Sequence, residues 1–449
     1  MTHVLAGRFP ALAACVVLAV ISSALLYVQP LIALALVPAS VICAVLLVRP
    51  TLALPFVFLA IMVSDASFLT PYTVTLIVPL TVSKLSMLMV LALWFAHCLA
   101  TSTWPLRNNS MWLPLGAMLA ALLLGSIQLR SLGSGMNLVI GFALLMTLCH
   151  VLDAIADARH LRTALTAVAV IYVVVVFASL FFGYVTEGMQ LTRYSGFSMN
   201  ANEWSLMVLI GLCPVVAIFE TSGNKLALIG SMLAILLASA AVLLAVSRSG
   251  MLVLAAMSPV LILILGKRSW LMVTVAVVMG LYLVDFSAAV ERFDSFFDAA
   301  ELEMDGSIRD RALAGRFAWL AFLEHPLFGI GTGAFTTESA MISGGQIAVN
   351  THNTYLQVLA ELGVVGAVLC VATPIAILRS IYRSYTGQQS KRFRRLVLGF
   401  VGSFVCFFLM IFTINAITAA VPFFILALLM AVERASGLSS EELVECRLA

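Results

Sequence analysis

Charge is what this sequence has least of. Only 10% of its 449 residues are Asp, Glu, Lys or Arg, while 63% are hydrophobic and the mean hydropathy is +1.12. A water-soluble domain carries about a quarter charged residues, so a single solvated globule is excluded. Paired cysteines are missing too. The eight cysteines, Cys15, Cys43, Cys98, Cys149, Cys213, Cys370, Cys406 and Cys446, fall in apolar runs or in the C-terminal tail. With no C-x-x-C pair and no His/Cys cluster, neither a disulfide framework nor a zinc site is expected. The net charge of +3 gives no reason to invoke nucleic acid as a partner.

What the chain has instead is hydrocarbon-compatible length. Apolar runs recur at Pro10–Tyr27, Leu31–Leu47, Thr51–Val63, Leu85–Leu99, Trp112–Leu124, Met136–Leu152, Leu165–Phe182, Trp204–Phe219, Leu226–Val246, Met251–Leu265 and Trp270–Val284. Three more follow a polar gap, at Tyr355–Leu378, Leu396–Phe412 and Ile417–Val432. A helix needs roughly 20 apolar residues to cross a bilayer. The expected fold is therefore an all-α polytopic membrane protein of about 12–14 transmembrane helices, with one large loop before the third-last. The first run is followed at once by a second and reads as a span, not as a cleaved signal.

Lysine and arginine in short loops are held on the cytoplasmic side. The strongest such marker is the stretch from Arg379 to Arg395, with Arg383, Lys391, Arg392 and Arg394. Walking back span by span then places Lys267-Arg268, Lys225, Arg159-His160-Arg162, Arg107, Arg49 and Arg8 on the same side. Both termini are then cytoplasmic and the large loop lies on the outer side. The organisation expected is an N-terminal helix bundle over 1–284, an outer loop over 285–353, C-terminal membrane helices over 354–432 and a cytoplasmic tail over 433–449.

Few basic residues remain outside, so those few are informative: Arg130, Arg193, Arg248, and Arg292, Arg309, Arg311 and Arg316 in the loop. Arg248 occupies a turn of about four residues, Ser247-Arg248-Ser249-Gly250, and a charge that close to hydrocarbon costs ~2–3 kcal/mol unless it snorkels or finds a partner. The loop is acidic in its first half, a solvated face with which Arg309 and Arg311 can pair. From Ala312 to Leu323 the spacing of Phe317, Leu320 and Leu323 predicts an amphipathic helix on the membrane face. The glycines Gly329, Gly331, Gly333, Gly344 and Gly345 predict a flexible, tightly turning connection. Gly329-Ile330-Gly331-Thr332-Gly333 lacks the following lysine and preceding strand of a phosphate loop, so a nucleotide site is not expected.

Outward-facing arginines beside one histidine suit a phosphorylated lipid, because the planar guanidinium meets phosphate oxygens two at a time. A diphosphate held by arginines needs no metal, which accords with the lack of an Asp-x-Asp pair in the loop. His352, placed in the first turn of the helix that becomes Tyr355–Leu378, should stay neutral at a helix N-terminus and be able to take a proton. Asn353 and Thr351 can orient the ring or cap the helix.

Five motifs in order then resemble the O-antigen ligase and O-antigen polymerase superfamily. They are Arg193-Tyr194-Ser195-Gly196-Phe197 with Asn200 and Asn202; Ser247-Arg248-Ser249-Gly250; Gly315-Arg316 with Trp319; Pro326-Leu327-Phe328-Gly329-Ile330-Gly331; and His352-Asn353-Thr354-Tyr355-Leu356-Gln357 with Glu361-Leu362-Gly363 and Gly366. The resemblance covers roughly Arg193 to Gly366. It implies a metal-independent, inverting glycosyltransferase without a cofactor, moving a glycan from undecaprenyl diphosphate to a periplasmic acceptor such as lipid A–core. Carried over by motif, His352, Arg248 and Arg316 match the catalytic residues, with Arg193 a third arginine; Asn202, Asn353 and Arg311 are read beside Arg193 as substrate-binding residues. Ala201 stands where many members have proline and Asn350 where many have a second histidine, so no histidine pair is expected. The resemblance leaves open a polymerase joining lipid-linked repeat units and a protein O-oligosaccharyltransferase. A polysaccharide transporter, or lipid flippase, would instead be expected to show inverted halves and ionisable residues at mid-span.

Overall fold

The computed structural model of the chain describes residues 53–63, 74–75, 79–80, 112–126, 158–187, 194–197, 200–222, 225–266, 306–344, 349–387, 391–414, 425 and 428. Within these the protein is built of helices: α1 (Ala53–Val63), α2 (Trp112–Ser126), α3 (Ala158–Glu187), α4 (Ala201–Ser222), α5 (Lys225–Leu244), α6 (Arg248–Leu265), α7 (Gly306–Glu324), α8 (Phe335–Ile342), α9 (Thr354–Gly387) and α10 (Lys391–Met410). The one β element described is a two-residue antiparallel pairing of Val74–Thr75 with Pro79–Leu80. Among the described residues six stretches are long and apolar enough to cross a membrane: Arg162–Gly183, Ala201–Ser222, Lys225–Leu244, Arg248–Leu265, Thr354–Arg383 and Lys391–Met410. The chain is thus an all-α polytopic membrane protein. The runs at Pro10–Tyr27, Leu31–Leu47, Leu85–Leu99, Met136–Leu152 and Trp270–Val284 lie outside the described residues, as does nearly all of Ile417–Val432.

The bundle is organised around α4, which is buried along almost its whole length. It runs antiparallel to α10: Ser403 Oγ donates to the Ile210 carbonyl, and Gly402 and Gly399 lie where a Cβ would meet Cys213 and Ala217. Small residues let the two backbones approach closely, which is how helices associate where lipid removes the hydrophobic drive between them. Tyr172 of α3 reaches across to donate to the Val208 carbonyl at 2.7 Å, which satisfies its buried hydroxyl.

These pairings sort the helix ends. The starts of α4 and α6 lie at one end of the bundle, together with the end of α10. The Thr354 amide donates to the Ile411 carbonyl at 2.8 Å and its hydroxyl to Ile414 at 2.8 Å, which brings the start of α9 to that same end. The opposite end collects Lys225, Arg379, Arg383, Lys391, Arg392, Arg394 and Arg395. The crowding of cations at the far end is the asymmetry the sequence predicts.

Beside the main core lies a second, small one, made by Phe317, Ala318 and Ala321 of α7, Ile330, Ala334 and Phe335 of the following loop and α8, and Ala360 of α9. The buried stripe of α7, with Ala314, Phe317, Ala318 and Ala321, recurs every three to four residues. Leu320 and Leu323 are exposed with Trp319, as are Leu327 and Phe328, while Phe317 is turned inward, so the helix over 306–324 is two-faced as the spacing predicts. Small residues took the inward positions since the α7 backbone packs close to α9; a Cβ on Gly315 would sit 3.5 Å from Leu356. The large apolar side chains therefore face outward, as a helix in contact with lipid requires.

Candidate active site

One half of the site is the turn between α5 and α6. Ser247, buried, is the N-cap of α6: its Oγ accepts from the Gly250 amide at 3.1 Å and donates to Asn202 Oδ1 at 2.7 Å. The Asn202 amide in turn donates to Asn200 Oδ1 at 2.8 Å. Gly250 is required by contact as well as by the cap, since a Cβ there would meet Ser205 at 3.0 Å. Ser247-Arg248-Ser249-Gly250 is thus a cap, a charge, and a close crossing over α4. Arg248 becomes the first residue of α6, half-buried at the bundle end. Asn202, expected as a substrate contact, is buried and fastens the Arg248 turn to α4.

The other half surrounds His352. The sequence reading placed this residue in the first turn of α9; it sits instead two residues before the helix, in the left-handed region with φ 47°. Asn353 is the N-cap, its Oδ1 accepting from the Tyr355 and Leu356 amides at 3.0 and 3.1 Å. That removes the helix dipole as the main reason for a neutral ring and supplies another. The imidazole is held below its usual value by partial burial, then by the charge of Arg311, with Asp310 pulling it the other way. Arg311 accordingly acts on His352, a role that pairing with the loop's acids does not describe. Arg316, one turn further along α7, is exposed. Arg193 lies outside the described residues.

The non-glycine residues with left-handed backbone among those described are Val246 and His352, both at φ 47°. Each such residue costs about 1–3 kcal/mol, and more naturally so for a β-branched valine. One stands two residues before Arg248 and the other is the histidine itself.

Glycine-rich 329–333 is no loose connection. The helix α9 is broken at Gly363, with φ 62° and ψ −166°, and the loop fills the break. Ile330 and Gly331 amides donate to the Ala360 and Glu361 carbonyls at 2.9 and 3.0 Å, and the Val364 and Val365 amides donate to the Pro326 and Leu327 carbonyls at 2.8 and 3.1 Å. Unmet, each of these groups would cost ~1–3 kcal/mol. Thr332 extends the same loop to the end of α2, its amide bonding Gly125 O at 3.2 Å and its hydroxyl Leu122 O at 2.9 Å. Gly329, Gly331 and Gly333 all have positive φ.

Glu361 completes the patch. Its side chain is buried at 2% exposure; Oε2 accepts from the Gly333 amide at 2.9 Å and Gln357 Nε2 at 3.3 Å, and Oε1 from the Phe335 amide at 3.3 Å, at the start of α8. Sequence reasoning quoted this residue within a motif without giving it a role. The signal was present, since an acidic residue inside an otherwise apolar run stands out in a membrane helix and a glycine two positions on marks a break.

Comparison with known proteins bears on one continuous part of the chain. Residues 233–371 match the family model described as O-antigen ligase. No curated protein matches the chain. The matched stretch runs from within α5 to within α9 and holds Arg248, Arg311, Arg316, His352 and Glu361, while Arg193 and Asn202 precede it. By this match the stretch that carries Arg248 and His352 is similar to O-antigen ligase.

Proposed function

We propose that the protein is a glycosyltransferase of the inner membrane that moves a glycan from undecaprenyl diphosphate to a hydroxyl of lipid A–core on the periplasmic face. The observation that carries the reading is a histidine kept neutral by burial and an adjacent arginine, at the same bundle end as the capped Arg248, within an O-antigen ligase domain. In this reading the acceptor oxygen attacks the anomeric carbon while the sugar–phosphate bond breaks and its electron pair leaves with undecaprenyl diphosphate, inverting the carbon. An imidazole nitrogen of His352 takes the hydroxyl proton. Arg248 and Arg316 hold the diphosphate, with Arg193 as a third, and bind it more tightly as its charge grows in the transition state. Arginines do here what a divalent cation does elsewhere.

The experiment is transfer by the purified full-length chain from lipid diphosphate donor to lipid A–core, with and without EDTA. Transfer unchanged by EDTA supports the reading; loss restored by a divalent cation overturns its metal-free part, and transfer only to a second lipid-linked repeat unit makes the protein a polymerase.

A further inference from the structure

The residues that fasten His352 form a closed circuit. From the break in α9 the chain is bonded to the loop at 326–331; from Gly333 and Phe335 it is bonded to the Glu361 carboxylate. The helix α8 that starts there holds the next segment. Ser339 Oγ accepts from the Val349 amide at 3.1 Å and lies 3.3 Å from its carbonyl, and Thr336 Oγ1 donates to Asn350 Oδ1 at 3.0 Å. Two residues later comes His352, after buried Thr351, and the circuit closes at the Asn353 cap and the Thr354 anchor on α10. Glu361 is the side chain that joins the two ends, because it belongs to α9 and caps α8.

We propose that Glu361 is a positioning residue for His352, acting through α8 and the 349–351 segment by accepting hydrogen bonds from Gly333 and Phe335. Nine positions separate it from the histidine, the last seven of them along the helix from Thr354, a rise of about 10 Å at 1.5 Å per residue, so it acts on the ring through the segments between them. Both oxygens of its side chain act as acceptors here. Three donors converge on it, and an amide in its stead turns an NH2 group toward at least one of them. The left-handed backbone at His352 makes the circuit matter: a conformation that costs free energy persists only where its surroundings over-determine it.

The inference rests on the proposed role of His352, and its test reads the ring directly. The full-length chain, labelled on its histidine rings and held in lipid nanodiscs, is titrated by NMR, and the His352 signal among six histidines is assigned with His352→Gln. In the wild type the ring titrates below the ordinary ~6.5, because burial and Arg311 of α7 disfavour its charge more than Asp310 of that helix favours it. With Glu361→Gln the ring is released toward water and its midpoint rises toward ~6.5. Ser339→Ala cuts the circuit on the far side of α8 and shifts it the same way, which decides the matter if the Glu361 variant does not insert. Ser403→Ala removes a buried bond of the main core; it lowers thermal stability and leaves the His352 midpoint where it was. An unmoved midpoint in the circuit variants, or an equal shift in Ser403→Ala, overturns the proposal. Transfer by His352→Gln is measured alongside: if it persists, the general-base reading fails while the titration still decides whether Glu361 places the ring.

Discussion

The two halves of the site are held in opposite ways. Arg248 rises from the main core, on a regular helix with an ordinary serine cap, over a glycine crossing against the buried α4. His352 stands beside the small outer core, on non-helical backbone just before the capped start of a helix whose later break is patched. The first arrangement is stiff by default, since the same packing that holds the bundle holds the arginine. In the second, placement depends on a few hydrogen bonds to buried backbone, each of which can be cut singly. A phosphate-binding charge tolerates a small misplacement, whereas proton transfer needs heavy atoms within hydrogen-bond reach.

The largest expected effect breaks the histidine half outright. His352→Ala lowers the transfer rate by ~10²–10⁴-fold, while donor binding, measured with a labelled lipid diphosphate, is retained because the arginines stand on other elements. The arginine half comes next. Arg248→Ala and Arg316→Ala each cost about 10²–10³ in rate at saturating donor, and Arg248→Lys recovers only part, since it keeps the charge without the fork. Full activity in both alanine variants would leave Arg248 as a headgroup anchor.

A third substitution sharpens the contrast between the cores. An alanine Cβ at Gly363 would sit 2.5 Å from the Leu327 carbonyl carbon, on backbone at φ 62°. The conformation alone costs about 1–2 kcal/mol, so Gly363→Ala lowers Tm and transfer while sparing donor binding. Gly116→Ala in α2, where a Cβ meets nothing within 4 Å, leaves both in place and serves as its control.

The smallest effect is a shift in pH dependence. In the proposed mechanism the working form is the neutral imidazole, so activity is lost as pH falls through the His352 pKa. Arg311 lowers that pKa; Arg311→Gln raises it and moves the acid limb of the rate profile to higher pH. The variant is therefore impaired near pH 6 and close to wild type near pH 8, as read from kcat across that range. Asp310→Asn moves the limb the other way.

Sequence served the arginine half better than the histidine half, for a physical reason. A hydropathy run and a Ser-Arg-Ser-Gly turn are local signals, and the expected spans from Trp112 onward that lie among the described residues fall on helices. The outer core sets Ala318, Ala321, Ala334 and Ala360 among Phe317, Ile330 and Phe335. Alanines give no pattern of large apolar residues, so α7 was legible as an amphipathic helix while most of its inward face was not. Likewise Gly329, Gly331 and Gly333 read as a supple connection, because glycine permits looseness and close approach alike and only the partner across the gap, here the Glu361 region, distinguishes them. His352 was legible as a residue type at a helix entrance, but its left-handed backbone and its electrostatic neighbour Arg311 come from a different part of the chain.

The break in α9 also bears on how the protein is made. Each bond that fills it joins residues near in sequence, Ile330 to Ala360 and Gly331 to Glu361 at thirty residues, and Pro326 to Val364 at thirty-eight. The filling segment precedes the broken one, so during synthesis it has already emerged when the helix that needs it enters the bilayer. Closing a loop of that length costs little more than closing a shorter one. A membrane helix with exposed amides at its bend would otherwise wait in lipid without partners; here translation order supplies them in advance. The outer segment is thus a template against which α9 folds, and shortening the distance between them is tolerated far better than reversing their order.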